Sequence, residues 1–91
     1  MSFEWDPKKD ETNFEKHGIR FAEAESVFVD DHAITITDDE SDPNEQRFVS
    51  IGVGLKGNIL AVVYCYRKTN IRIISSRPAE LHERAEYEEH R

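Results

Sequence analysis

Residues 47–77 read Arg47-Phe48-Val49-Ser50-Ile51-Gly52-Val53-Gly54, Leu55-Lys56-Gly57, Asn58-Ile59-Leu60-Ala61-Val62-Val63-Tyr64-Cys65-Tyr66-Arg67, Lys68-Thr69-Asn70, Ile71-Arg72-Ile73-Ile74-Ser75-Ser76-Arg77. Three runs rich in β-branched and aromatic residues are joined by links too short for a crossover, which predicts consecutive antiparallel hairpins. From Leu60 to Tyr66 the middle run is apolar on both parities, the mark of a central strand covered on both faces.

Working outward, Ala33-Ile34-Thr35-Ile36-Thr37 alternates with period two and predicts a fourth strand. Asp38 to Glu45, with Pro43 inside it, reads as an acidic loop. Pro78 suits the first position of a last helix, Ala79 to about Glu88. Near the N-terminus, Phe3-Glu4-Trp5 is a short extended piece; Asp6 is a helix N-cap with Pro7 at N1, and His17-Gly18 ends that helix. Its one large apolar residue is Phe14, so it should lie on the protein through few contacts. Phe21, Ala24, Val27 and Phe28 share a helical face within Ile19–Val29. The expected order is β-α-α-β-β-β-β-α, an α+β domain with helices packed on a four-stranded antiparallel sheet.

At 91 residues the chain is one small domain, 1–91, with a thin stability margin. No stretch approaches the roughly 18–20 apolar residues of a membrane span, and no signal peptide is visible at the N-terminus. The single cysteine, Cys65, fits a reducing cytoplasm and reads as a small buried strand residue.

The net charge of −7 hides a strong asymmetry. Residues 1–45 carry four bases against fourteen acids, whereas residues 46–79 contain six bases and no Asp or Glu. That window holds Arg47, Lys56, Arg67, Lys68, Arg72 and Arg77, and it points to a phosphate-facing surface. A three-residue loop at Lys68-Thr69-Asn70 would set Arg67 opposite Ile71 and on the same face as Arg77. A loop of Lys56-Gly57-Asn58 would set Arg47 opposite Arg67. Like charges across a strand pair repel, so such a pair wants an anion between them. The bland alternative is that each arginine is a solubilising edge charge or a partner for the acids of the last helix.

His17, His32, His82 and His90 form no metal-binding spacing, and no metal or cofactor is expected. His17 has the unperturbed pKa of a general base, although a His at a helix C-terminus commonly just caps carbonyls there. Trp5, Tyr64 and Tyr66 could stack bases, against the commoner role of strand aromatics as core.

Several segments, in order, resemble one family: Phe3-Glu4-Trp5-Asp6-Pro7, Asn13 with Lys16-His17-Gly18, Phe21-Ala22-Glu23-Ala24, Phe28-Val29-Asp30, Glu45 with Arg47, Arg72-Ile73-Ile74-Ser75-Ser76-Arg77, and Glu83-Arg84 with Tyr87-Glu88. Together they are similar to the BrnT toxins of type II toxin-antitoxin systems over nearly the whole chain. The resemblance implies a compact RelE-like toxin domain that cleaves RNA without metal in the bacterial cytoplasm and halts translation. It also implies a BrnA-type antitoxin, whose ribbon-helix-helix part binds operator DNA. Such cleavage needs a base for the 2′-OH and cations for the phosphorane-like transition state. By family likeness Arg67 and Arg77 would stabilise the phosphate. His17, Glu45 and Tyr87 are candidates for proton transfer, and Lys16, Arg47, Lys68 and Arg72 would hold RNA. Pro78 stands where the family usually carries a basic residue, and the last helix is acidic. An alternative reading is therefore a weakly active or inactive subunit that acts as corepressor with its antitoxin.

Overall fold

A computed structural model describes residues 2–37 and 44–90. Residues 38–43, most of the expected acidic loop, lie outside the described residues. The elements are β1 (Phe3–Glu4), α1 (Pro7–His17), α2 (Phe21–Ala24) running into a 3-10 turn (Glu25–Val29), β2 (Ile34–Thr37), β3 (Arg47–Val53), β4 (Ile59–Arg67), β5 (Asn70–Pro78) and α3 (Leu81–Glu89).

The strands form one sheet in the order β1-β5-β4-β3-β2. The fold is α+β as expected, but the sheet has five strands and is mixed. β1 adds to the outer edge of β5 in parallel, Phe3 opposite Ile71 and Glu4 opposite Arg72. Two residues are too few to show strand alternation, so the sequence gives only an extended piece there. β4 is central, as its apolar pattern predicts, and both faces are covered. On one face Leu60, Val62, Tyr64, Ile71 and Ile73 meet Ile19, Phe21, Ala24 and Val27. On the other, Val49, Ile51 and Ala61 meet Tyr87 of α3.

α1 begins and ends as its sequence predicts. Asp6 accepts from the Lys8 N–H at 2.9 Å, and Gly18 closes the helix at φ 73°. It is anchored by an amide rather than by Phe14, which stays partly exposed under the Arg20 guanidinium. Buried Asn13 donates to the carbonyls of Ile19 and Ser76, each at 2.8 Å, and accepts from the Ser76 N–H at 3.1 Å. One side chain thus satisfies the stretch of β5 edge that β1 is too short to reach.

The expected single helix over 19–29 is two pieces. Asp10 of α1 accepts from the Phe21 N–H at 2.8 Å and starts α2, which tightens to 3-10 geometry after one turn. Ser26 binds the Val53 carbonyl there at 3.0 Å, pinning the turn to β3. The last helix also starts later than expected. Pro78 is still paired with Leu60, and the Ala79 N–H donates to the Ile59 carbonyl, so the ladder holds both residues in extended form. Glu83 then reaches back to the Glu80 N–H at 2.8 Å and caps α3.

Candidate functional site

Two departures from the expected hairpins decide where the arginines point. The β4–β5 link is the two residues Lys68-Thr69, with Lys68 at φ 57°, so Arg67 faces Asn70 rather than Ile71. That shift alone would turn Arg77 to the opposite face. A bulge between Val63 and Tyr64 on one strand, Ser75 and Ile73 on the other, restores it. The β3–β4 loop is also longer than expected, spanning residues 54–58, so Arg47 lies opposite Cys65 and not opposite Arg67. Arg72 lies opposite Cys65 on the other side and Arg77 opposite Ala61. Strand alternation then puts Arg47, Arg67, Arg72 and Arg77 all on the α3 face of the sheet.

Acids from outside the acid-free window meet them there. Glu4 of β1 lies 4.0 Å from Arg67 and 3.7 Å from Arg72, and it accepts from Asn70 at 3.2 Å. With Lys68 these residues line an open cleft of about 380 Å³. Around the end of the sheet a second cleft of about 490 Å³ is lined by Asn44, Glu45, Gln46, Phe48, Tyr66 and again Arg67. Glu45 is 3.9 Å from Arg47. Cys65, opposite Arg47 on one side and Arg72 on the other, is fully buried. Burial, and then Glu45, push its thiol pKa up against the pull of Arg72 and Arg67, which favours the protonated thiol.

The remaining expected site residues lie elsewhere. Arg77 donates to both carboxylate oxygens of Glu83, at 2.7 and 3.0 Å. This fork holds the Glu83 carboxyl below its usual range. Tyr87 is buried and donates to Asp30 at 2.6 Å. Desolvation raises the Asp30 pKa, but the Tyr87 O–H and the backbone N–H groups of His32 and Val53 outweigh it, and the net shift is downward. Lys16 and His17 line a separate cleft of about 280 Å³ with Lys8, Lys9, Thr12, Asn13, Ile74 and Ser75. Lys8, Lys9 and Lys16 make no ion pair with any described residue, whereas Asp10 and Glu11, elsewhere on α1, pair with Arg20. Of the aromatics, Tyr64 is core and Trp5 packs edge-on against Phe21, but Tyr66 is 55% exposed. Glu4, Asn70 and Lys8 were not expected at a site; only the place of Glu4 in the extended N-terminal piece signalled it. No group of three or more potential metal ligands occurs among the described residues, and none of their helices is long and apolar enough to cross a membrane.

The family model for the ribonuclease toxin BrnT of type II toxin-antitoxin systems matches residues 5–83. The chain belongs to the BrnT family. The 1.1 Å crystal structure of the Brucella abortus ribonuclease toxin BrnT matches this fold with a TM-score of 0.69 at 28% identity, over 88% of this chain and 97% of that one. No curated protein sequence matches the chain. The residues matched to BrnT include Glu45 and all four arginines of the α3 face; Glu4 and Tyr87 fall outside them.

Proposed function

We propose that this BrnT protein is a metal-independent endoribonuclease that cleaves RNA at the end of the sheet. The observation that carries this is Arg67, which lines both the cleft with Arg72 and the cleft with Glu45. A phosphate entering between Arg67 and Arg72 displaces Glu4, whose contacts there are long, and gains two planar forks that match its oxygens. Charge building on the phosphoryl group in the transition state is then stabilised by cations already on the strands. Glu45, half-exposed and steadied by Arg47, takes the 2′-OH proton as that oxygen attacks. The P–O5′ bond breaks, leaving a 2′,3′-cyclic phosphate and a 5′-hydroxyl that takes its proton from water in the open cleft. Lys68 holds the backbone beside Arg67, and Lys16 with His17 offers a second, separate basic cleft on α1. Arg77 and Tyr87 position α3 in this reading. Cleavage of message halts translation in the cytoplasm, and a BrnA-type antitoxin with a ribbon-helix-helix part neutralises the toxin and carries it to operator DNA.

Expression in bacterial cells tests this. Wild type should arrest growth, and Arg67→Ala and Glu45→Gln should relieve the arrest while still binding antitoxin. Arrest that persists in both variants contradicts the site. No arrest by wild type, with tighter operator binding when toxin and antitoxin are combined, favours the corepressor reading instead.

A further inference from the structure

The opposite face of the sheet carries a feature that the cleavage site does not use. Between the 3-10 turn and strands β2 to β4 lies a cavity of about 280 Å³, lined by Val27, Phe28, Ala33 and Ile71 and by the polar groups of Asp30, Thr35, Ser50, Tyr64 and Tyr66. It has ample room for one heteroaromatic ring. Its hydroxyls form a chain: Thr35 Oγ1 to Ser50 Oγ at 2.9 Å, and Ser50 Oγ to Tyr64 Oη at 2.9 Å. Tyr66 also bonds Tyr64, so four O–H groups make three bonds among themselves, and one proton is left to donate outside the chain with several lone pairs left to accept.

The cavity adjoins the proposed cleavage site through shared lining residues. Tyr66 lines both it and the cleft of Glu45, and Arg67 lines both that cleft and the cleft of Arg72. Tyr66 and Arg67 are neighbours in β4 and so face opposite sides of the sheet. A nucleotide straddling the sheet end would set its phosphate at Arg67 and its base over Tyr66. The Tyr66 ring stands 5.7 Å from that of Phe48 and 5.8 Å from that of Tyr64, an exposed aromatic doorway.

We propose that this cavity receives one nucleobase of the RNA and reads its edge through the Thr35–Ser50–Tyr64 hydroxyl chain, with Tyr66 stacking at the entrance. The inference rests on the RNA-cleaving reading and adds a base preference to it. An apolar side chain from a protein partner would fit the walls but offer nothing to the hydroxyl chain, whereas a base supplies donors and acceptors to it. Asp30 already accepts from His32, Val53 and Tyr87.

The test uses 2′-O-methyl pentanucleotides of A, C, G or U, which the protein cannot cleave, with affinity read by fluorescence anisotropy. Wild type should prefer one base by about fivefold or more, the worth of one to two hydrogen bonds. Tyr64→Phe and Ser50→Ala should bring that preference within about twofold, with thermal unfolding confirming the fold. Tyr66→Ala should weaken the preferred oligonucleotide about tenfold, and Arg67→Ala should weaken all four alike. Equal wild-type affinities, or a preference unchanged in the Tyr64 and Ser50 variants, would overturn the base site while leaving the phosphate site standing. Variants that lose antitoxin affinity but keep base preference would give the cavity to a protein partner and overturn it also. No binding of any oligonucleotide would overturn both readings.

Discussion

Arg77 donates to both oxygens of Glu83, and that fork makes the arginine a clamp between β5 and α3. Glu83 is nearly buried and Arg77 about two-thirds so. Truncating one partner leaves the other charge short of hydrogen bonds in a poorly solvated place. Arg77→Ala should cost about 1.5–3 kcal/mol of stability, measured by urea unfolding, and Arg77→Lys should recover only part of it because an ammonium cannot make the fork. Growth arrest is the control: a clamp variant that stays folded at 25 °C should keep its toxicity, which Arg67→Ala should not. The sequence shows Arg77 as one of six cations in an acid-free window. The alternative that an arginine pairs with the acids of the last helix is realised here, although neither strand nor helix spacing picks out Glu83, six residues on, as the partner. Nor does spacing point Arg67 and Arg72 to Glu4, which arrives from the far end of the chain.

At the scale of elements, strands were legible and their registers were not. Period-two runs and the two-sided apolar stretch of β4 identify four strands and the central one. Register depends on loop lengths and a bulge, each a matter of one or two residues, and a single residue reverses every side chain. Here a shorter hairpin loop and a bulge compensate, so Arg67 and Arg77 share a face although Arg67 does not oppose Ile71. α1 is an equally instructive case, since its anchor is polar. Asn13 joins α1, the start of α2 and β5 through three hydrogen bonds, and a search for apolar spacing passes over it in favour of Phe14. Asn13→Ala should leave one N–H and two carbonyls buried without partners and cost about 3 kcal/mol or more. Phe14→Ala should cost well under half of that, both read from thermal unfolding. A larger loss at Phe14 than at Asn13 would contradict this anchoring.

At the scale of the molecule, charge is separated in sequence and interleaved in space. The acidic first half and the basic second half meet as Glu4 with Arg67 and Arg72, and as Glu45 with Arg47. Two carboxyls, Glu83 and Asp30, have pKa values lowered in the folded state. Each stabilises the fold above the unfolded carboxyl range near 4, and that contribution disappears as pH falls through the lowered folded value. Stability should therefore drop steeply below about pH 4, and Glu83→Gln should be less stable at pH 7 but show a shallower acid slope. The central claim, that Arg67 and Arg72 on the α3 face form the centre of a ribonuclease, is tested most directly by incubating purified, antitoxin-free protein with bacterial RNA in excess EDTA. Wild type should cleave it, and folded Arg67→Ala/Arg72→Ala should not. Equal cleavage by both proteins, or cleavage abolished by EDTA in the wild type, would contradict the account.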